Sequence, residues 1–156
     1  MNSISTPAAD LLMLALQICL EVHQADRDRR GMPYVLHPIR VMEKQETIDR
    51  KIIALLHDAL EEHPEKISAD EIRRYFGRGI ERSVLAITKR KEETWDRYIS
   101  RVIKDRDAAM VKLADLEDNM HPRRLDKKAS NKSTDVYLDA YERICDRYGI
   151  TTYLNV

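Results

Sequence analysis

The chain has 156 residues, of which 43% are hydrophobic and 35% are charged, and these values suit one domain with a real core. Basic and acidic residues each number 27, and a net charge of zero argues against a general nucleic-acid or membrane binder, which would carry a basic excess. No secretory signal or apolar run near the roughly 20 residues of a membrane span is present, so we expect a cytoplasmic protein.

The first predicted helix has clear start signals. Thr6 is a candidate N-cap, with Pro7 at the first helical position. Residues 11–22 are then apolar nearly all round, which is typical of a central buried helix. A loop over residues 24–36 follows, with Gly31 as a helix breaker.

Seven further helices are predicted after this loop. Ser68 and Glu71 form a capping box, Thr94 is another N-cap, and Gly149 ends the last helix. Strand patterns and the turn residues of a β-sandwich are nearly absent, so we expect a compact all-α bundle of about eight helices in one domain over residues 1–156. The predicted spans are residues 38–43, 48–62, 69–76, 80–89, 95–104, 105–120 and 133–148.

The third predicted helix carries an imidazole and three carboxylates on the side opposite its apolar residues. His57 and Glu61 are four residues apart, as are Asp58 and Glu62. The simplest interpretation is the exposed polar face of an amphipathic helix. The macrodipole disfavours acidic residues at a helix C-terminus, however, and a bound cation would reverse that effect.

The seventh predicted helix shows a similar pattern. Lys112, Asp115 and Asn119 are spaced by three and then four residues, opposite an apolar side. The alternative here is a solvated stripe with a Lys112–Asp115 ion pair.

Histidines add to this set. His37 precedes a proline, where a structural or surface role is the usual one, whereas His23, His63 and His121 lie at predicted helix ends. For His23 a local hydrogen bond is a simpler interpretation than metal binding, and for the other two it is a C-capping role.

Together, four residues from three segments offer two imidazoles and two carboxylates: His37, His57, Asp58 and Asp115. Mixed nitrogen and oxygen ligands suit Mn²⁺, Fe, Co or Zn better than Ca²⁺. A metal ion with open positions can activate water near neutral pH and neutralise phosphoryl charge.

The order of these motifs resembles the HD superfamily of metal-dependent phosphohydrolases. Four segments resemble more narrowly the hydrolase domain of the bacterial alarmone enzymes of the RelA/SpoT type and the small alarmone hydrolases. These segments are GMPYVLHPIRVM, IIALLHDALEE, the ITK of residues 87–89, and VKLADLEDNM. The resemblance spans roughly residues 11–141 and implies an HD-type helical bundle.

The resemblance also implies roles for individual residues. The family's metal ligands fall on the four residues above, with Mn²⁺ as the expected ion and another divalent transition metal as the alternative. Its catalytic acids fall on Glu61 and Glu62, where the family usually has Glu-Asp. Its substrate-side residues fall on Lys112, Asn119 and Tyr137.

The basic positions depart from the family pattern. Asp28 and Arg29 stand where the family loop usually has Arg-Lys, and Arg27 with Arg29 is expected to meet phosphates instead. Leu116 and Ser133 replace two further arginines of the family.

The implied activity is hydrolysis of guanosine 3′,5′-bis(diphosphate), written ppGpp, with loss of its 3′-pyrophosphate. Two alternatives stay open: an HD phosphohydrolase acting on another nucleotide-like phosphoester, and a catalytically idle alarmone-binding regulatory domain. We expect no nucleic-acid or membrane partner, and the sequence predicts no oligomeric state.

Overall fold

A computed structural model of the chain describes residues 7–122 and 131–151. Within these ranges the chain forms eight α-helices and no β-strand, so the predicted all-α class and the approximate number of helices are confirmed. The helices are α1 (Ala8–Val22), α2 (Leu36–Glu43), α3 (Ile48–Leu56), α4 (Ala59–Glu62), α5 (Ala69–Ile87), α6 (Trp95–Val102), α7 (Arg106–Met120) and α8 (Asn131–Tyr148).

Two helices, α3 and α7, lie at the centre of the bundle. Residues 52–56 of α3 and 111–116 of α7 are all buried. Helix α3 packs against α1, α2, α5 and α7, while α7 also contacts α6 and α8. Polar residues at the α3–α7 contact are therefore enclosed on several sides.

Helix α1 is not the central buried helix that its apolar sequence predicts. It buries only one stripe, formed by Ala15, Cys19 and Val22, which packs towards α3. Met13 and Leu20 on its other side are 56% and 46% exposed. An apolar residue is free to lie at the surface, so an apolar circumference does not by itself place a helix in the core.

Several predicted helix starts are confirmed in detail. The Ser68–Glu71 capping box is present, and the Thr94 hydroxyl accepts a hydrogen bond from the first turn of α6. Pro7 is the N-cap of α1 and not its first helical residue, while the predicted N-cap Thr6 lies outside the described residues.

The predicted third helix, over residues 48–62, is interrupted at His57 and Asp58, which separate α3 from α4. The His57 ring Nδ1 lies 2.7 Å from the Ala54 carbonyl oxygen and donates to it. In a continuous helix that carbonyl would accept the amide of Asp58. The side chain thus competes for the bond that would carry the helix through this point.

Helix α5 joins the predicted helices over 69–76 and 80–89, but it is kinked between them at Gly77. The backbone of Gly77 has φ 86° and ψ 171°, a conformation open almost only to glycine. The predicted break between these two helices is therefore present, but it is a kink at one residue and not a separate loop.

We expect Gly77→Ala to destabilise the protein by about 1–3 kcal/mol because alanine strains this backbone conformation. Gly79→Ala is the matched control, since Gly79 is helical without a positive φ and an added Cβ there meets nothing within 4 Å. The control should stabilise by up to about 1 kcal/mol, because alanine is the better helix former. Thermal unfolding of both variants measures the difference, and equal effects would contradict the assignment of the kink.

Candidate metal and substrate site

The four predicted metal ligands meet where α2, α3 and α7 pack together. The His37 Nε2 lies 3.0 Å from Asp115 Oδ1 and 3.7 Å from Asp58 Oδ2. The His57 Nε2 lies 2.9 Å from Asp58 Oδ2 and 3.6 Å from Asp115 Oδ1. Both imidazoles therefore face both carboxylates; we call these four residues the central cluster.

Three of the four residues of the central cluster are buried, and the side chain of Asp58 is 22% exposed. His37 and His57 are each 2% exposed and Asp115 is 3% exposed. The exposed polar face on the third helix is therefore wrong for His57, the solvated stripe on the seventh is wrong for Asp115, and a surface position is wrong for His37. Other helices cover the polar sides of α3 and α7, and a single helix pattern does not contain that information.

Hydrogen bonds on the far side of each ring fix which nitrogen faces the cluster. The Nδ1 of His37 binds Asp118 Oδ2 at 2.6 Å, and the Nδ1 of His57 binds the Ala54 carbonyl. Each Nδ1 carries the proton when it donates, so each neutral ring turns an Nε2 lone pair towards the carboxylates. Lone pairs facing anionic oxygens repel each other unless a proton or a cation lies between them.

These residues fit a divalent metal ion. The His57 Nε2 is buried and makes no hydrogen bond to any described residue, although a carboxylate oxygen lies close by. A cation between the two imidazoles and the two carboxylates would satisfy this nitrogen and remove the repulsion. The donor set of two nitrogens and two oxygens suits a divalent transition metal.

Electrostatics keep the carboxylates of the cluster ionised. Burial alone would raise the pKa of Asp58 and Asp115, but His57 lowers the pKa of the first and Lys112 that of the second, so both lie below the usual range. Burial alone would lower the pKa of His57, yet Asp58 and Asp115 outweigh it and raise the pKa to about 10. In the metal-free protein a proton therefore competes for the same nitrogen.

Asp118 and Arg40 are two residues of the site that the sequence analysis missed. The Arg40 Nε and Nη2 donate to the Asp118 carboxylate at 2.7 and 3.0 Å, opposite the bond from His37. Asp118 orients His37, as carboxylates commonly orient metal-binding histidines. The sequence contains one signal for Asp118: it lies three residues after Asp115 and therefore on the same side of that helix.

A cavity of about 170 Å³ opens beside the cluster, smaller than the roughly 300–1,000 Å³ of typical ligand pockets. It has room for a phosphate group, with the remainder of a nucleotide extending over its rim. Of the residues predicted to bind substrate or act as acids, Glu61, Lys112, Asn119 and Tyr137 line it. The other lining residues are Tyr34, His37, Asp58, Lys89, Trp95, Tyr98 and Asp115.

Lys112 and Asn119 hold Asp115 from two sides. The Lys112 Nζ donates to Asp115 Oδ2 and the Asn119 Nδ2 to Asp115 Oδ1, each at 2.7 Å. The predicted Lys112–Asp115 ion pair is present, but it is buried and not solvated. Burial would lower the pKa of Lys112, but Asp115 raises it above the ordinary value and keeps the ammonium charged.

Glu61 lies at the cavity wall, and its Oε2 accepts the backbone N–H of Lys89 at 2.8 Å. Desolvation at this wall raises the pKa of Glu61, which brings it closer to the range useful for proton transfer. Glu61 and Glu62 are both exposed, but Glu62 lies outside the lining residues.

The structure does not place Arg27 and Arg29 in the cavity wall. Both are exposed, and the Arg27 Nη1 donates to the carbonyl oxygen of Asp26 at 2.8 Å. The Asp28 carboxylate accepts the amides of Arg30 and Met32 within its own loop. Of the other departures from the family, Leu116 is buried in the core, and the side chain of Ser133 lies outside the described residues.

Known proteins are similar to this chain over most of its length. No protein-family model matches the chain. The chain is 27% identical to a guanosine-3′,5′-bis(diphosphate) 3′-pyrophosphohydrolase of Aquifex aeolicus and 26% identical to a GTP pyrophosphokinase of Myxococcus xanthus. These matches cover 94% and 93% of this chain but only 23% and 21% of the two relatives, so the chain spans less than a quarter of their length.

A solved structure has the same fold. It is that of a metazoan ortholog of SpoT that hydrolyses ppGpp and plays a role in starvation responses. The TM-score is 0.73 at 24% identity, over 92% of this chain and 87% of the other. The resemblance to the RelA/SpoT-type hydrolase domain is thus confirmed. Among the residues that the structure describes, no helix is both long and apolar enough to cross a membrane.

We expect the metal-free protein to bind one divalent transition ion at the central cluster, and His57→Ala to abolish this binding. Because the pKa of His57 is raised to about 10, the ion must displace a proton throughout the neutral range. The apparent affinity should therefore rise with pH, by about tenfold per pH unit for one released proton. Calorimetric titration at several pH values, in buffers of different ionisation enthalpy, measures this proton. An affinity independent of pH would contradict ligation by His57.

Proposed function

We propose that this chain is a metal-dependent phosphohydrolase that removes the 3′-pyrophosphate of ppGpp, with Mn²⁺ as its metal ion. The observation that carries this proposal is the central cluster, with two imidazole lone pairs facing the carboxylates of Asp58 and Asp115 beside a cavity with room for a phosphate group. The names of the relatives supply the substrate, because proteins that match most of this chain are named for ppGpp chemistry.

The proposed metal ligands are His37, His57, Asp58 and Asp115. An ion held there would polarise a water molecule and neutralise charge on the phosphoryl group. His37 and His57 hold fixed orientations through their Nδ1 bonds, so the donor geometry would be set before the ion binds.

Glu61 is proposed as the principal proton-transfer group. Its carboxylate lies at the cavity wall, and its raised pKa suits accepting a proton from the attacking water or returning one to the leaving oxygen. The bond from the Lys89 amide holds one of its oxygens in place. Glu62 is proposed as the second acid, with the smaller effect because it lies outside the wall.

Substrate contacts are proposed for Lys112, Asn119 and Tyr137, which line the cavity. The charged Lys112 would attract a phosphate oxygen, and its bond to Asp115 would hold it in position. Arg27 and Arg29 are proposed to meet the phosphates that extend over the rim, since both are exposed and outside the cavity.

A second candidate is hydrolysis of another nucleotide with fewer phosphates. The position of Asp28 favours it, because a carboxylate stands in the loop where a cation would bind an additional phosphate. A catalytically idle alarmone-binding domain is the third candidate, and it predicts binding without turnover.

We expect the purified protein with Mn²⁺ to release pyrophosphate from ppGpp and to leave GDP and GTP largely intact. Removing the metal with a chelator should abolish release, and Mn²⁺ should restore it. If the protein hydrolysed only another nucleotide, ppGpp would be the wrong substrate, but the proposed metal site would stand. Tight ppGpp binding without any turnover would support the idle domain.

We expect Glu61→Gln to lower the turnover rate by about 10²–10⁴-fold, because the amide does not exchange a proton with water in the reaction. Metal content should be unchanged, since Glu61 is not a proposed ligand. Glu62→Gln is the neighbouring control and should give the smaller loss. Steady-state rates with parallel elemental analysis measure both, and a Glu61→Gln protein with the parent rate would contradict the assignment.

A further inference from the structure

A second group of metal-ligating side chains lies outside the central cluster. His23 is the C-cap of α1, His63 is the C-cap of α4, and Asp26 lies in the loop between α1 and α2. The Asp26 Oδ2 lies 2.8 Å from the Nδ1 of His23 and 2.7 Å from the Nε2 of His63. One carboxylate oxygen thus faces two imidazole nitrogens; we call these three residues the outer cluster.

The local hydrogen bond predicted for His23 and the C-cap position predicted for His63 are both confirmed. Neither prediction anticipated that the two rings share a carboxylate, because they lie 40 residues apart in the sequence.

Counting protons shows why the outer cluster needs a cation. The Nε2 of His63 faces Asp26, and its Nδ1 lies 3.0 Å from Oε1 of Glu65. A neutral imidazole carries one N–H, so one of these two contacts has no proton. If Nδ1–H donates to Glu65, the Nε2 lone pair points at the Asp26 carboxylate. Only a protonated ring or a metal ion removes that repulsion. The hydrogen bonds to Asp26 and Glu65 raise the pKa of His63, so a proton takes this place in the metal-free protein and a metal ion must displace it.

We propose that the outer cluster is a second divalent-metal site, with Zn²⁺ as the ion that its chemistry fits. The Nε2 of His63, the Asp26 carboxylate and the Nδ1 of His23 are the ligands, and a water completes the tetrahedron that Zn²⁺ prefers. Glu65 orients His63 from behind, as second carboxylates do at zinc sites.

The geometry allows the ion to enter. Metal–ligand bonds of about 2.0–2.1 Å separate tetrahedral ligands by about 3.3 Å, so the contacts of 2.7 and 2.8 Å must widen by about half an ångström. The side chains of His63 and Asp26 are 18% and 28% exposed, so they face water and have room to move.

The cations near the outer cluster do not occupy the Asp26 carboxylate. Asp26 and Glu65 each contribute a negative charge, while the nearby Lys66 and Arg27 each contribute a positive charge. The Lys66 Nζ is bound to the Val22 carbonyl at 2.6 Å, and the Arg27 Nη1 is bound to the Asp26 carbonyl at 2.8 Å. The carboxylate of Asp26 therefore stays available to a metal ion.

His23 sets the expected strength of the site. Burial lowers the pKa of His23, so its ring is neutral and able to act as a ligand. Its Nε2 is buried and without a hydrogen-bond partner among the described residues. When a metal takes Nδ1, the proton must move to this unpartnered nitrogen, which weakens binding. The outer cluster should therefore bind its ion after the central cluster.

The test counts ions in protein stripped of metal. Zn²⁺ is titrated calorimetrically and Co²⁺ by its visible absorption, with elemental analysis for stoichiometry. The parent should bind two ions, the second more weakly. His63→Ala should bind one, His57→Ala should bind one, and the double variant should bind none. These readouts need no turnover, so the result is independent of the proposed hydrolase activity.

The chain supplies its own control. It has five histidines, and His121 is the one that belongs to neither cluster. His121→Ala should keep both ions. Asp26→Asn provides a second variant at a partly exposed side chain, with circular dichroism to check folding, and it should also lose the weaker ion.

Thermal unfolding gives a readout of the outer site alone. In the His57→Ala background, added Zn²⁺ should raise the melting temperature, and the further change His63→Ala should remove this rise. A single ion that the parent loses in His57→Ala and keeps in His63→Ala, or a His63→Ala protein that keeps two ions, would overturn the proposal.

Discussion

Burial of ionised groups at the contact of α2, α3 and α7 is the constraint on which the rest of this structure depends. A carboxylate removed from water is strongly destabilising unless partners replace the lost hydration. Asp115 receives bonds from Lys112 and Asn119 on its own helix and faces the ring of His37. Because a buried charge tolerates little displacement of its partners, the contact with His37 constrains how α2 packs against α7.

The orientation of the two histidines explains local features that would otherwise look like defects. His57 takes the Ala54 carbonyl that helix continuation would use, and the helix stops there. His37 takes Asp118, which in turn needs Arg40 to balance its charge. In both cases a polar partner behind the ring aims the opposite nitrogen, so helix regularity gives way to ligand geometry.

Helix periodicity pointed to His57, Asp58 and Asp115 because each lies opposite the apolar side of its predicted helix, whereas His37 follows no helical pattern. Periodicity did not reveal that both sides of α3 and α7 are covered, so His57 and Asp115 seemed open to water. It also predicted α1 at the centre of the bundle. Helix α1 has apolar residues nearly all round, but only the stripe that contacts α3 is buried. The sequence could not predict that His23 and His63 share the Asp26 carboxylate, since that contact depends on how the ends of α1 and α4 meet in space.

Contacts at the two ends of α4 set the position of Glu61 more than the hydrogen bonds within the helix do. A helix of four residues, Ala59–Glu62, has too few internal hydrogen bonds to be stable alone. Its N-terminal end is held by Asp58, which lies in the central cluster and accepts a hydrogen bond from Tyr34. Its C-terminal end is held by His63, which is bound to Asp26. The proposed proton-transfer group is therefore positioned by polar contacts at both ends of its helix, together with the bond from the Lys89 amide.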